Sequence, residues 1–446
     1  MLKLRSLTRK VLSKHRNHTN QIRFVSTNTR TKLDQNEPSL SEKLSSASQT
    51  HFTQFSEKPK INHDPILANE VINCFNDKTN LVIDATFGSG GHTKKLLETY
   101  PDIKVIGLDI DLETSGKFAQ DLVNEYPKRF FFMNTNFKNL YDDYQDYMTR
   151  QISRNFNLNP ETTFPDGIIY DLGPCSYQIE DEMRGFSNME NGPLDMRYNR
   201  KTQKLSASQI INFADKEELA MIFKNYGDEP NDLKIADAIM DSRYLQPIVS
   251  TYELSGLISR CLGELKTGFD PVQKIRNHHK QHLHISNKVF TALRIHINDE
   301  LNNLYKSLCQ AEHLLAVGGK ICIISKLAKE DAIFKFATGK YQLGNPQDQF
   351  EFEYSLEELR KSQNLHKVWN KNKEIMLEGA LYYRDKTPWE SKTVKGSQGN
   401  HKFILPTQKE VLENGLARSA KLRCVEKVRE VGKFEPDFWD WSQRAK

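Results

Sequence analysis

The chain has 446 residues, 27% of them charged and 37% hydrophobic, with a formal net charge of +5 and six cysteines. That length allows one large domain with an insert, or two domains, and no apolar run approaches the ~18 residues of a membrane span. Nine of the 63 basic residues fall within residues 1–32, which hold no acid, so the rest of the chain is slightly acidic and its overall charge is no evidence for nucleic acid.

Residues 1–32 mix that basic charge with Ser, Thr and Asn, and Leu2, Leu4, Leu7, Val11 and Leu12 recur at roughly helical spacing, the composition of a mitochondrial transit peptide. Residues 33–58 are polar and predict a disordered linker. Order is expected from Ile61. Leu81–Asp84 reads as a first strand, followed by Gly88-Ser-Gly-Gly-His and a helix. A second strand ends at Asp109, Phe130–Met133 is a third with Asn136 and Phe137 beyond its end, and Ile168-Ile-Tyr predicts a fourth that stops at Asp171. Between 203 and 265 the apolar residues fall on helical periods, which predicts a helical insert. Residues 266–284 are a polar, His-rich loop. One long helix is expected from Lys288 to Leu315, then a fifth strand, Ile321–Ser325. Residues 340–400 read as loop-rich, and 407–425 as a closing helix and strand.

The six cysteines (74, 175, 261, 309, 322 and 424) include no Cys-x-x-Cys, which speaks for a reduced compartment and against a structural zinc site. His278, His279, His282 and His284 have no accompanying cysteine or acid cluster and read as loop. No metal is expected. Gly88-x-Gly90-Gly91 lies between a strand and a helix, with Asp109 ending the next strand. Glycines there let the backbone approach a ligand, and the acid accepts ribose hydroxyls. A third glycine for a dinucleotide fingerprint would fall at Thr93. Asp84, at the end of the first strand, suits the cationic aminoacyl end of S-adenosylmethionine better than a pyrophosphate. Gly167–Arg197 is dense in glycine and proline with Arg184, Asp195 and Arg197 among them, which predicts a fixed loop over a site that contains Asp171.

Asp171-Leu-Gly-Pro-Cys-Ser, Arg184-Gly-Phe-Ser and Gly192-Pro-Leu-Asp-Met-Arg together resemble the signature of the bacterial small-subunit rRNA cytosine N4-methyltransferases and their mitochondrial relatives. The resemblance runs from about Ile61 to Ile324 and returns at residues 413–423. It implies an α/β fold, an S-adenosylmethionine-dependent methyltransferase Rossmann-like sheet with a helical insert domain. It also implies S-adenosylmethionine as donor and a cytidine in small-subunit rRNA as acceptor. By position, the family's cofactor contacts fall on Gly90, Gly91, His92, Asp109, Phe137, Asp171 and Gln178, with Asp171 also catalytic. Tyr177 or Phe186 would stack on the base. Pro174-Cys175 raises a second chemistry, methylation at carbon 5 through a cysteine nucleophile. That chemistry needs another cysteine in a Thr-Cys-Pro context, which this chain lacks, and Cys175 reads as a packing residue where the family has Ser.

The chain departs from the family pattern at Pro230, at Lys326-Leu-Ala-Lys-Glu-Asp-Ala after the fifth strand, and at Gly415. The organisation expected is a transit peptide (1–32), a linker (33–58), a first methyltransferase part (59–177), a helical substrate-recognition insert (178–285) and a second methyltransferase part (286–446). The expected partner is small-subunit rRNA or an assembling mitochondrial small ribosomal subunit, in the mitochondrial matrix. An rRNA-binding assembly factor on the same fold, with little or no catalysis, remains the alternative.

Overall fold

The computed structural model describes residues 64–160, 162–263, 285–338, 388–396 and 399–430. The expected transit peptide, the linker, the four histidines of the 266–284 loop and most of 340–400 lie outside them. Nine strands are present among the described residues: β1 (Leu81–Asp84), β2 (Lys104–Leu108), β3 (Phe130–Met133), β4 (Gly167–Asp171), β5 (Lys320–Ser325), β6 (Trp389–Lys392), β7 (Val394–Gly396), β8 (Gly399–His401) and β9 (Lys421–Lys427). Seven form one sheet in the order β3-β2-β1-β4-β5-β9-β6, and β7 pairs with β8 separately. The five strands from β3 to β5 are parallel; β9 runs antiparallel to β5 and to β6. Three strands therefore lie in the segment expected to be loop-rich, because β6 has a partner, β9, that its own composition does not reveal.

Each parallel strand is apolar on both faces, as a sheet covered by helices on both sides requires. Val82, Val105, Ile169 and Cys322 face one core, with Leu96, Leu97 and Leu122 from the flanking helices. Leu81, Ile83, Ile168, Tyr170 and Ile321 face the other, with Leu304, Leu308 and Leu314. Tyr170 places its hydroxyl 2.7 Å from that of Ser307, which ties β4 to the helix Glu300–Leu314. Burial raises the Tyr170 phenol above its ordinary pKa, so this contact is between neutral hydroxyls.

The expected long helix is two helices, Asn287–Asn298 and Glu300–Leu314. Asp299 breaks them in the left-handed region, at φ 54°. The apolar period runs straight across the break, which is why periodicity alone does not show it. The break divides two packing duties. Leu304 and Leu308 of the second helix face the sheet. Val289, Phe290 and Leu293 of the first join a third core with Ile210, Ile222, Phe223, Ile239 and Leu254. Those residues come from the helices Ala207–Phe213, Lys216–Gly227, Asp232–Leu245 and Thr251–Cys261. The first, second and fourth of these start on side-chain caps, Ser206, Asp215 and Ser250, each accepting a backbone N–H of the first turn.

Candidate active site

The carboxyl ends of β1, β2, β3 and β4 open on one cavity, where open α/β sheets bind ligands. The turn after β1 supplies Gly88, Ser89, Gly91 and His92 to its wall. Gly88 N donates to Asp109 Oδ2 at 2.7 Å, and Asp111 N donates to Asp109 Oδ1 at 2.8 Å. Both bonds favour the charged form, but burial outweighs them and raises the Asp109 carboxyl to about 7. Phe137 lies beyond β3, where the chain turns into a short 3-10 helix, and forms another wall.

Gly91, His92, Asp109, Phe137, Asp171 and Gln178 all border this cavity. Gly90 does not. Its φ is +77°, and a Cβ there would stand 2.7 Å from the Phe87 ring and 3.0 Å from Leu122. Its glycine serves the turn and the packing beneath it. His92 is 6% exposed, and its Nε2 is 2.9 Å from Ile66 O, so this ring nitrogen anchors the helix Gly91–Thr99 to the segment before β1. Gln178 Oε1 accepts from Cys175 N at 2.9 Å and Nε2 donates to Asp111 Oδ2 at 2.6 Å, which links the loop after β4 to the loop after β2.

Asp84 differs from expectation. It is 1% exposed and does not border the cavity; Thr93 Oγ1 donates to it at 2.7 Å, and Thr86 N at 3.3 Å. Burial pushes its pKa up. It ties the turn after β1 to Thr93 of the helix Gly91–Thr99. The stacking residues also differ. Tyr177 packs on Phe118 with ring centroids 4.8 Å apart, Phe186 stacks on Tyr198 at 5.3 Å, and neither Tyr177 nor Phe186 borders the cavity.

The dense loop is fixed, as its composition predicts, and the structure shows how. A Cβ on Gly192 would lie 1.7 Å from Glu182 O, and one on Gly185 would lie 2.1 Å from Pro193 O. The two glycine-bearing segments thus cross backbone against backbone. Arg184, 1% exposed, runs underneath. Its guanidinium meets Asp111 at 2.8 Å, Thr114 Oγ1 at 3.0 Å, and the carbonyls of Arg197 and Tyr198 at 3.0 and 3.1 Å. Against the cost of burial, paired bonds from Arg197 at 2.7 Å hold the Asp195 carboxyl below the usual range.

Several cavity residues have no motif to announce them. Tyr198, Asn298, Glu300 and Lys326 also line the cavity. Tyr198 donates from its hydroxyl to Glu300 Oε1 at 3.0 Å, and Arg294 pairs with the same carboxylate at 2.8 Å. Asn298 Oδ1 accepts from Tyr198 N at 2.9 Å. The unbroken helix expected from Lys288 to Leu315 hides that Asn298 and Glu300 flank a turn. Lys326 Nζ lies 2.8 Å from Asp171 Oδ1.

Cys175 borders the cavity, and burial raises its thiol to about 11, so it is protonated at neutral pH. This is not the state of a cysteine nucleophile. Elsewhere the fold gathers cysteines that the sequence scatters. Cys74, Cys322 and Cys424 are buried with their sulfurs within 4.8 Å of one another, because Cys322 and Cys424 are direct partners on β5 and β9. No fourth His, Cys, Asp or Glu joins them among the described residues.

Residues 60–367 match the model of the MraW methylase family. The human 12S rRNA N(4)-cytidine methyltransferase METTL15 is 32% identical over 373 residues, 82% of this chain and 83% of that protein. Ribosomal RNA small subunit methyltransferase H of Ehrlichia chaffeensis is 34% identical over 275 residues, 61% of this chain and 83% of that protein. The Rickettsia bellii protein of the same name is 31% identical over 367 residues, 82% of this chain and 99% of that protein. With a match that spans the five parallel strands, the crossed loops and the insert, this chain belongs to the MraW methylase family and is a methyltransferase.

Proposed function

We propose that the protein methylates the exocyclic N4 of a cytidine in mitochondrial small-subunit rRNA, with S-adenosylmethionine as donor, in the mitochondrial matrix. The observation that carries this reading is the position of Asp171. Its carboxylate ends β4 and borders the same cavity as Gly88 and Asp109. The name of the human relative supplies the acceptor, N4 of a cytidine in 12S rRNA, and that of the bacterial relative supplies small-subunit ribosomal RNA.

The residues present fit this donor. The glycine turn brings backbone to the cavity wall, and Asp109 offers a carboxylate for the ribose hydroxyls. Phe137 gives an apolar wall for the adenine. When bound, the donor supplies an electrophilic methyl group on a sulfonium. A cytosine amino group is a weak nucleophile because its lone pair is delocalised into the ring. Asp171 accepts an N4–H, so the nitrogen can pyramidalise as positive charge develops on it, and then takes the proton. Acceptors placed where charge develops act on the transition state more than on the ground state. The base must leave any helix to reach Asp171.

Mass spectrometry of small-subunit rRNA nucleosides, from cells with and without the protein, tests this. N4-methylcytidine that disappears with the protein supports the reading. If none depends on the protein, and purified enzyme transfers no methyl group to assembling subunits, the role in assembly without turnover takes its place.

A further inference from the structure

Asp171 does not face the cavity alone. Its ion pair with Lys326 is 2.8 Å long, and the two side chains are about one-fifth exposed, at 20% and 18%. The turn that carries Lys326 is held from both sides. Glu330, 3% exposed, accepts from Lys326 N at 2.8 Å and from Leu327 N at 2.9 Å. The next residue, Asp331, is held by Arg423 of β9 at 2.5 Å. The lysine stem runs along the loop after β4, where a Cβ on Gly173 would lie 3.8 Å from Lys326 Cδ. The sequence thus puts a cation beside the acceptor carboxylate and fixes it there.

We propose that Lys326 reads the acceptor base, donating from Nζ to ring N3 of cytosine while Asp171 accepts the neighbouring N4–H. This rests on the function proposed above. An amino group and a ring nitrogen sit next to each other on the cytosine edge, a donor beside an acceptor. Asp171 and Lys326 present the complement, an acceptor beside a donor. Uracil carries the reverse pattern, with an acceptor O4 beside an N3–H donor. It would set oxygen against the carboxylate and N–H against the ammonium. A site built on hydrogen bonds rejects such a base because its own groups are left unpaired. With Oδ1 engaged by Lys326, Oδ2 is left to take the N4–H. A phosphate is a poorer occupant for this lysine, since the Asp171 carboxylate at 2.8 Å would repel it.

The test changes one atom of the RNA and one side chain of the full-length enzyme. The target cytidine is placed in small-subunit RNA either unchanged or as 3-deazacytidine, which lacks the N3 acceptor. Wild-type enzyme and Lys326→Met are compared on both by kcat/KM. Wild type is expected to lose roughly 10- to 100-fold on the deaza substrate, the scale of one hydrogen bond to a charged group. Lys326→Met is expected to lose a similar factor on cytidine and to be indifferent to the deaza change, and Lys326→Arg to recover part of the loss. A wild-type enzyme indifferent to 3-deazacytidine overturns the proposal with no variant needed. A Met variant as sensitive to the deaza change as wild type also overturns it. Equal loss on both substrates with a reduced salt dependence assigns Lys326 to a phosphate instead. No methyl transfer by wild type to ordinary cytidine sinks the proposed function itself, and this proposal with it.

Discussion

β2 and β4 lie on either side of β1, and each delivers an aspartate to the cavity, yet the two carboxylates are held differently. Asp109 is gripped by backbone N–H groups of Gly88 and Asp111. Asp171 is gripped by a side chain, Lys326, that arrives 155 residues later. Backbone donors follow from the path of the chain, so a glycine turn and an acid at the right spacing suffice to specify them. Side-chain donors can be exchanged without moving the backbone. The donor side of the cavity is therefore a property of the fold, and the acceptor side is where this chain has its own chemistry.

The largest effect is expected where the two sides are joined. Arg184 is fully buried and pairs with Asp111, which also receives Gln178. Arg184→Met would leave the Asp111 charge buried without its cation, at a cost of about 3–5 kcal/mol. Thermal unfolding should show this as a large fall in Tm. A melting point within a degree or two of wild type would mean the junction is dispensable and the comparison overdrawn.

Asp171→Ala should lower methyl transfer by ~10²–10³ while changing donor affinity much less. Single-turnover rates and calorimetry separate the two. If both fall together, Asp171 belongs to the donor side and the division fails.

Asp109 sharpens the division through pH. Its carboxyl is raised to about 7 by burial, and the ionised carboxylate accepts from ribose hydroxyls more strongly than the protonated acid, which turns one oxygen into a donor. Donor affinity should therefore strengthen as pH rises through about 7, and Asp109→Asn should remove that dependence and cost about 1.5–3 kcal/mol. In the ligand-free protein the sign is opposite. An acid whose folded pKa is raised contributes stability that is fully present below its unfolded value, and this is lost as pH rises through about 7. Calorimetry across pH 6–8 that shows flat affinity in the wild type would contradict the assignment.

The smallest effect is expected at Cys175. Its thiol is raised to about 11, and it caps the short helix Ser176–Glu180. Cys175→Ser should leave methyl transfer within about a factor of three, since a serine also caps helices well. An inactive variant, or a trapped RNA–protein adduct, would instead point to carbon 5 chemistry.

What could be read from the sequence follows the same division. The five parallel strands, Asp109 and Asp171 were legible because short apolar runs ending in acids and glycines have few other meanings. The crossed loops were legible as a fixed path, though only coordinates show that Gly185 and Gly192 are required by backbone contact. Asp84 was misplaced because position at a strand end does not say which way a side chain turns, and Thr93 claims it. Tyr177 and Phe186 each pack on another ring, a pairing with no signal in the spacing of the sequence. Tyr198 and Glu300 are not legible as site residues because their meeting depends on a helix break at Asp299 that has no local signature, and Lys326, visible as a departure, gains its place beside Asp171 only from the turn that Arg423 of the expected closing strand helps to hold.

The late position of β9 also sets an order in time. A chain that appears N-terminus first presents β1 to β4, with the glycine turn, Asp109 and Asp171, within its first 171 residues. β5 and Lys326 follow after about 150 more. The partner that closes this side, β9, emerges only near residue 421, and with it Arg423, which fixes Asp331 beside the Lys326 turn. Domains fold as the chain appears, and pairings between distant segments come last. The chain thus presents its glycine turn, Asp109 and Asp171 well before the residues that hold Lys326 against Asp171, so the means of choosing a base is the last part of the site to be completed.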